Sequence, residues 1–251
     1  MIDTVIFDMG GVLIDFGAEL FSKRLKVGAE GQELLMQHVL RTVDWVKLDR
    51  GTITEEEVYA HACAKLPKEL HGAAEYIIYH WNEPIVPIEG TADVVRELKE
   101  KGCTLYLLSN ASRRQHDYWP DIPGSECFSG KVISADLHLL KPEAAIYQAL
   151  FDKFDLMPSN CIFIDDFPPN IEAAENAGMQ GIVFHDATQL REELKARGIL
   201  WQCCCQTLRR CRARASAAGT YGKAMRRRKA PLRYTAAHRS RREMHAAALR
   251  A

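Results

Sequence analysis

No stretch of the chain approaches the ~18 uninterrupted apolar residues that a membrane-spanning helix needs, so a helical membrane protein is not expected. The opening residues, Met1 to Thr4, carry no basic region leading into an apolar one, so no secretory signal is expected either. A cysteine framework is also missing from most of the chain. Cys63, Cys103, Cys127 and Cys161 lie far apart in mostly apolar contexts, and they read as reduced structural thiols of a cytoplasmic protein. Between Phe16 and about Ile88 there is no strand-like alternation at all.

Net charge is absent too, with 33 basic and 33 acidic residues, but that balance hides an asymmetry. Residues 202–251 hold 14 Lys and Arg against a single acid, so the rest of the chain is correspondingly acidic. This tail, beginning Trp201-Gln-Cys-Cys-Cys, has neither alternation nor a sustained apolar face. It reads as a basic segment that is disordered when free. Its first reading is an extension foreign to the fold, frameshifted or unrelated. The sharper reading is an arm that contacts nucleic-acid phosphates, with only Tyr221 and Tyr234 to stack on bases. Cys203 and Arg209 match the Cys-x5-Arg spacing of cysteine phosphatases. No strand–loop–helix cradle surrounds them, so the match reads as chance.

What is present begins with Thr4-Val-Ile-Phe-Asp8-Met-Gly10-Gly11. A buried strand delivers a carboxylate to the carboxyl edge of a parallel sheet, and two glycines allow a sharp turn and close approach of backbone to a ligand. Three partners follow in order. Thr104–Leu108 is a second buried strand, ending in Ser109 and Asn110. Lys141-Pro142 precedes an amphipathic helix, Glu143–Phe154. Cys161–Ile164 is a strand ending in Asp165-Asp166, with Asn170 four residues later. The helix Thr91–Lys101 closed by Gly102, a helix near Ser112, a strand at Val132–Ser134, the helix Pro168–Ala177 and the strand Gly181–Phe184 complete an alternating pattern. That pattern predicts a Rossmann-like α/β fold with a parallel sheet. Before it, Gly17–Leu25, Gln32–Leu48, Glu55–Leu66 and Gly72–Trp81 show helical spacing, with a capping box at Thr54–Glu57.

Strand–Asp, strand–Ser-Asn, Lys-Pro and strand–Asp-Asp in this order resemble the four motifs of the haloacid dehalogenase (HAD) superfamily over roughly residues 1 to 199. Leu108-Ser-Asn-Ala-Ser112, Tyr118-Trp119-Pro120 and Lys141-Pro-Glu-Ala-Ala-Ile-Tyr-Gln148 resemble its bacterial sugar-phosphate phosphatases, notably the α-glucose-1-phosphate phosphatase type. The resemblance implies an α/β core over 1–15 and 88–200, a helical cap inserted over 16–87, and a tail over 201–251. It implies strand order 5-4-1-2-3, which sets Asp8 beside the Asp165-Asp166 pair.

It also implies a Mg²⁺-dependent phosphatase of a small phosphorylated metabolite, monomeric or homodimeric. Asp8 would be the nucleophile that forms an aspartyl-phosphate. Asp8, Asp166 and the Gly10 carbonyl would hold the metal, as hard Mg²⁺ prefers oxygen, with Asp165 holding a metal-bound water or orienting Asp166. Ser109, Asn110 (through its backbone N–H or its amide) and Lys141 would meet the phosphate, and Lys141 would also serve Asp8. Converging carboxylates repel one another without a cation, which independently argues for a metal. Trp45, His80 and Trp81 are candidate sugar contacts, although aromatics at that spacing are more often core. One departure from most HAD phosphatases is Gly10, which stands where a second aspartate serves as general acid and base. Losing such a group costs ~10²–10⁴-fold unless the leaving group is good. Two alternatives stay open: a 2-haloacid dehalogenase, whose chemistry needs no metal, and a HAD-like binding protein with weak catalysis.

Overall fold

The computed structural model describes residues 2–200. The basic tail, with the expectations of disorder and of nucleic-acid contact attached to it, lies outside the described residues. Five strands, β1 (Thr4–Phe7), β2 (Thr104–Ser109), β3 (Gly130–Ile133), β4 (Cys161–Asp165) and β5 (Gln180–Val183), make one sheet in the order β3-β2-β1-β4-β5. All neighbours are parallel, as the alternating pattern predicts. The central strands are covered on both faces, which is why their sequences are continuous apolar runs. Val5 and Phe7 of β1 face one apolar cluster and Ile6 faces the other.

Five α-helices make up the insert that follows β1: α1 (Ala18–Arg24), α2 (Ala29–Leu35), α3 (Val43–Arg50), α4 (Glu55–Cys63) and α5 (His71–Glu75). Around the sheet run α6 (Thr91–Glu100), α7 (Gln115–Tyr118), α8 (Ser134–Leu137), α9 (Ala144–Phe154), α10 (Pro168–Asn176) and α11 (Ala187–Ala196). None of the helices among the described residues is long and apolar enough to cross a membrane. The helical insert does not stand apart. Its Leu35, Val39, Leu48, Val58 and Ile77 share one continuous apolar cluster with Val5, Phe7, Leu105 and Ile164 of the sheet.

Several element boundaries differ from the sequence expectation. Gln32–Leu48 is not a single helix. After α2 the backbone widens into a π-type turn, Met36–Leu40, and then breaks at Thr42. The Thr42 hydroxyl caps α3 by accepting from Trp45 N (3.0 Å) and donates to Val39 O (2.9 Å). A threonine that satisfies both ends of a break stabilises the break over helix continuation. The Gly72–Trp81 helix likewise changes into a π-type turn at Tyr76–His80. The helix expected near Ser112 starts only at Gln115 and gives way at Trp119 to a tight 3₁₀ turn containing Pro120, which has no N–H to continue the ladder. The third strand ends one residue early, because Ser134 opens α8. The Thr54–Glu57 capping box is formed in both directions, at 2.9 and 3.2 Å.

Candidate active site

The carboxyl ends of β1, β2 and β4 converge. Asp8 follows β1 directly, and its N–H donates to Ile164 O (2.8 Å), which holds it beside Asp165 at the end of β4. Ser109 ends β2. Lys141 enters from the segment between α8 and α9. All are withdrawn from solvent: Asp8, Ser109 and Asp165 are 0% exposed, and Lys141 and Asp166 are 2% exposed. Lys141 Nζ reaches Asp8 Oδ1 at 2.9 Å and Asp165 Oδ2 at 2.6 Å, so one ammonium bridges two carboxylates. A buried charge without a partner is costly, and this pairing offsets much of that cost for two of the three acids.

Asp165 is held on every side. Its Oδ2 also accepts from Asn170 Nδ2 (2.9 Å), and its Oδ1 accepts from Phe167 N (2.8 Å). Asn170 is in turn fixed by Tyr147, whose hydroxyl donates to Asn170 O at 2.8 Å. Burial, followed by the negative charges of Asp165 and Asp8, raises the Tyr147 pKa, so the phenol keeps its proton and remains a donor. With lysine, amide and backbone N–H as partners, Asp165 is placed to orient Lys141 as much as Asp166.

Asn110 is used differently from the expectation that its amide could meet a phosphate. Its Nδ2 donates to Lys141 O (3.0 Å) and its Oδ1 accepts from Lys141 N (2.8 Å). The side chain therefore clamps the backbone of the lysine. Ser109 Oγ is fully buried and has no hydrogen-bond partner, an orphan hydroxyl beside a cluster of charges.

The acids also fit a cation. One oxygen from each of Asp8, Asp165 and Asp166 lies within 4.8 Å of the others, three negative charges against the single ammonium of Lys141. The turn after β1 is shaped around Asp166. Gly11 adopts φ +81°, and a Cβ built there would lie 2.5 Å from Asp166 Oδ2. Only glycine gives both that backbone conformation and that closeness. Hard oxygen donors at this spacing suit Mg²⁺.

Over this floor lies a cavity of about 80 Å³ between sheet edge and insert. Met9, Gly10 and Asn110, chain neighbours of Asp8 and Ser109, line its base, and Phe16, Trp45, Leu48, Asp49, Ile78 and Trp81 line its other side. Of the three aromatic-region candidates, Trp45 and Trp81 reach the cavity. His80 does not: it is exposed and pairs with Glu83 at 3.4 Å. Asp49, Phe16 and Tyr118 were not singled out as ligand contacts, and no spacing rule marks them.

A haloacid dehalogenase-like hydrolase model matches residues 2–178. The chain belongs to this family. Among curated proteins, this HAD-like hydrolase is 24% identical over 198 residues to the sesquiterpene phosphatase astK of Aspergillus oryzae, covering 76% of the chain and 93% of that protein. It is 32% identical over 107 residues to bifunctional epoxide hydrolase 2 of Mus musculus, covering 40% of the chain but only 19% of that longer protein. Among solved structures, it resembles a HAD family enzyme of Bacteroides thetaiotaomicron in complex with magnesium and inorganic phosphate, at 22% identity and a TM-score of 0.57. That match covers 76% of this chain and 99% of the other. At that identity the likeness speaks for the fold.

Proposed function

We propose that this hydrolase is a Mg²⁺-dependent phosphatase of a small phosphate monoester and works through an aspartyl-phosphate on Asp8. The observation that carries the reading is the buried group of Asp8, Asp165 and Asp166, the first two bridged by Lys141, with the orphan Ser109 hydroxyl next to it. The phosphatase name of the Aspergillus relative supports the same class. The helical insert acts as the cap that closes over this site, and the protein works in the cytoplasm.

Asp8, Asp166 and the Gly10 carbonyl would hold the metal, with Asp165 behind them. When bound, the ion neutralises charge on the phosphate oxygens. Ser109 and the Asn110 N–H hold phosphate oxygens, and Lys141 adds a fixed positive charge. Asp8 attacks phosphorus as the ester P–O bond breaks. Water then cleaves the acyl phosphate, releasing inorganic phosphate and regenerating the Asp8 carboxylate.

The departing alcohol needs a proton, and Gly10 has none to give. Asp49 is the one carboxylic acid among the residues lining the cavity. Asp49 therefore takes the acid role. Asp49→Asn is expected to slow alkyl phosphates roughly 10²-fold while barely slowing esters of acidic phenols. Equal slowing of both would remove Asp49 from that role.

Phosphate release with and without Mg²⁺, for the wild type and Asp8→Asn, tests the whole reading. Metal-dependent turnover that falls by ~10⁴-fold or more in Asp8→Asn is expected. Halide release from a 2-haloacid that survives a chelator would point instead to a dehalogenase. Tight phosphate binding with no turnover would point to a binding protein. The sugar-phosphate expectation rests on motif resemblance to the α-glucose-1-phosphate phosphatase type, and the cavity bears on it directly.

A further inference from the structure

The walls of the cavity have little to offer a sugar. Met9, Leu40, Val46, Leu48, Ile78 and Leu140 line it together with the rings of Phe16, Trp45, Trp81 and Tyr118. The rings are packed on one another: Phe16 meets Trp81 at 4.7 Å and Trp45 at 5.9 Å, and Trp81 meets Tyr118 at 5.3 Å. Polar side chains are few. Asn110 has both ends of its amide on Lys141, and the rest are Asp49, Ser112, the Tyr118 hydroxyl and the indole N–H groups of Trp45 and Trp81. A hexose brings four or five hydroxyls, and each one buried without a partner costs about 1–3 kcal/mol. A few polar groups spread among aliphatic and aromatic side chains suit such an array poorly.

Two of the apolar lining residues owe their place to the irregular backbone. Leu40 lies in the Met36–Leu40 π-type turn and Ile78 in the Tyr76–His80 turn. Such turns shift side-chain direction relative to a regular helix and are frequent at functional sites. Both irregularities deliver an aliphatic side chain to the space above Gly10.

Resting on the phosphatase reading above, we infer that the substrate is a phosphate monoester of an apolar alcohol or phenol, with a branched alkyl, isoprenyl or phenyl body and no array of hydroxyls. Apolar complementarity is the specificity device: one methylene in such a pocket is worth about 10-fold or more in kcat/KM.

The test is a wild-type panel of primary alkyl esters, 3-methylbutyl phosphate against glycerol 3-phosphate and glucose 6-phosphate. These share leaving-group chemistry and differ in the polarity of the body. Acetyl phosphate, which has almost no body, reports the phosphatase chemistry separately. A preference of about 10²-fold for the apolar ester is expected, and Val46→Asn should shrink it by lowering the apolar arm. If acetyl phosphate turns over but the polar esters match or exceed the apolar one, the inference is overturned while the phosphatase reading stands. If nothing turns over, acetyl phosphate included, the phosphatase reading fails and the inference falls with it.

Discussion

The two sides of the crevice are built on opposite principles. The sheet side is a floor of charge: Asp8, Asp165, Asp166 and Lys141 are withdrawn from water, and their ion pairs and hydrogen bonds run from Tyr147 through Asn170 to Asp165 and on to Lys141. The insert side is a wall of aliphatic and aromatic groups whose identity matters through volume and lack of polarity. Charge networks in low dielectric tolerate almost no loss of a member, because the remaining partner is left buried and uncompensated. Apolar walls tolerate swaps that conserve volume. On the proposed function, the chemistry is therefore fixed on the floor, and the choice of leaving group is adjustable on the wall.

That contrast can be broken most severely at Lys141. Lys141→Met leaves buried carboxylates facing one another without their ammonium. It should cost about 3–5 kcal/mol of stability as well as activity, read from urea unfolding beside turnover. If the variant unfolds like the wild type, the ion pairs do not hold the floor together. Gly11→Ala comes next. It forces a Cβ towards Asp166 at a positive φ, with an expected cost of roughly 1–3 kcal/mol and a higher Mg²⁺ concentration for half-maximal activity. An unchanged metal requirement would show that Asp166 needs no such closeness. The smallest effect belongs to the wall. Ile78→Val should cost only ~0.5–1.5 kcal/mol, leave the metal requirement alone, and show mainly in KM for an apolar ester. A large fall in kcat would mean that the wall takes part in the chemistry and the division of labour is wrong.

Much of the floor was legible in the chain because strands buried on both faces announce themselves as apolar runs, and what ends them is delivered to one sheet edge. Asp8, Ser109 and Asp165-Asp166 are found that way. Lys141 is less visible: only its place among the other motifs distinguished it from a solvated lysine before a proline-started helix. The wall was hardly legible. Gln32–Leu48 has the spacing of one helix, and the Thr42 break that separates Leu40 from Trp45, Val46 and Leu48 is a side-chain capping effect that periodicity does not register. Asn110 follows β2 directly, and its amide goes to the Lys141 backbone because the two segments lie against each other only in the folded chain.

The sequence by itself determined the alternating α/β sheet, its parallel strands and the arrival of the carboxylates at one edge. Those follow from local periodicity and from the handedness of crossovers. The tertiary structure alone decided which partner each buried polar group takes and which face of the insert closes the cavity. Those depend on residues tens of positions apart, such as Asp49 and Ser134 or Arg50 and His138, whose hydrogen bonds dock the insert on the core. No local rule carries that information, because the energy of such contacts exists only once both segments have been withdrawn from water together.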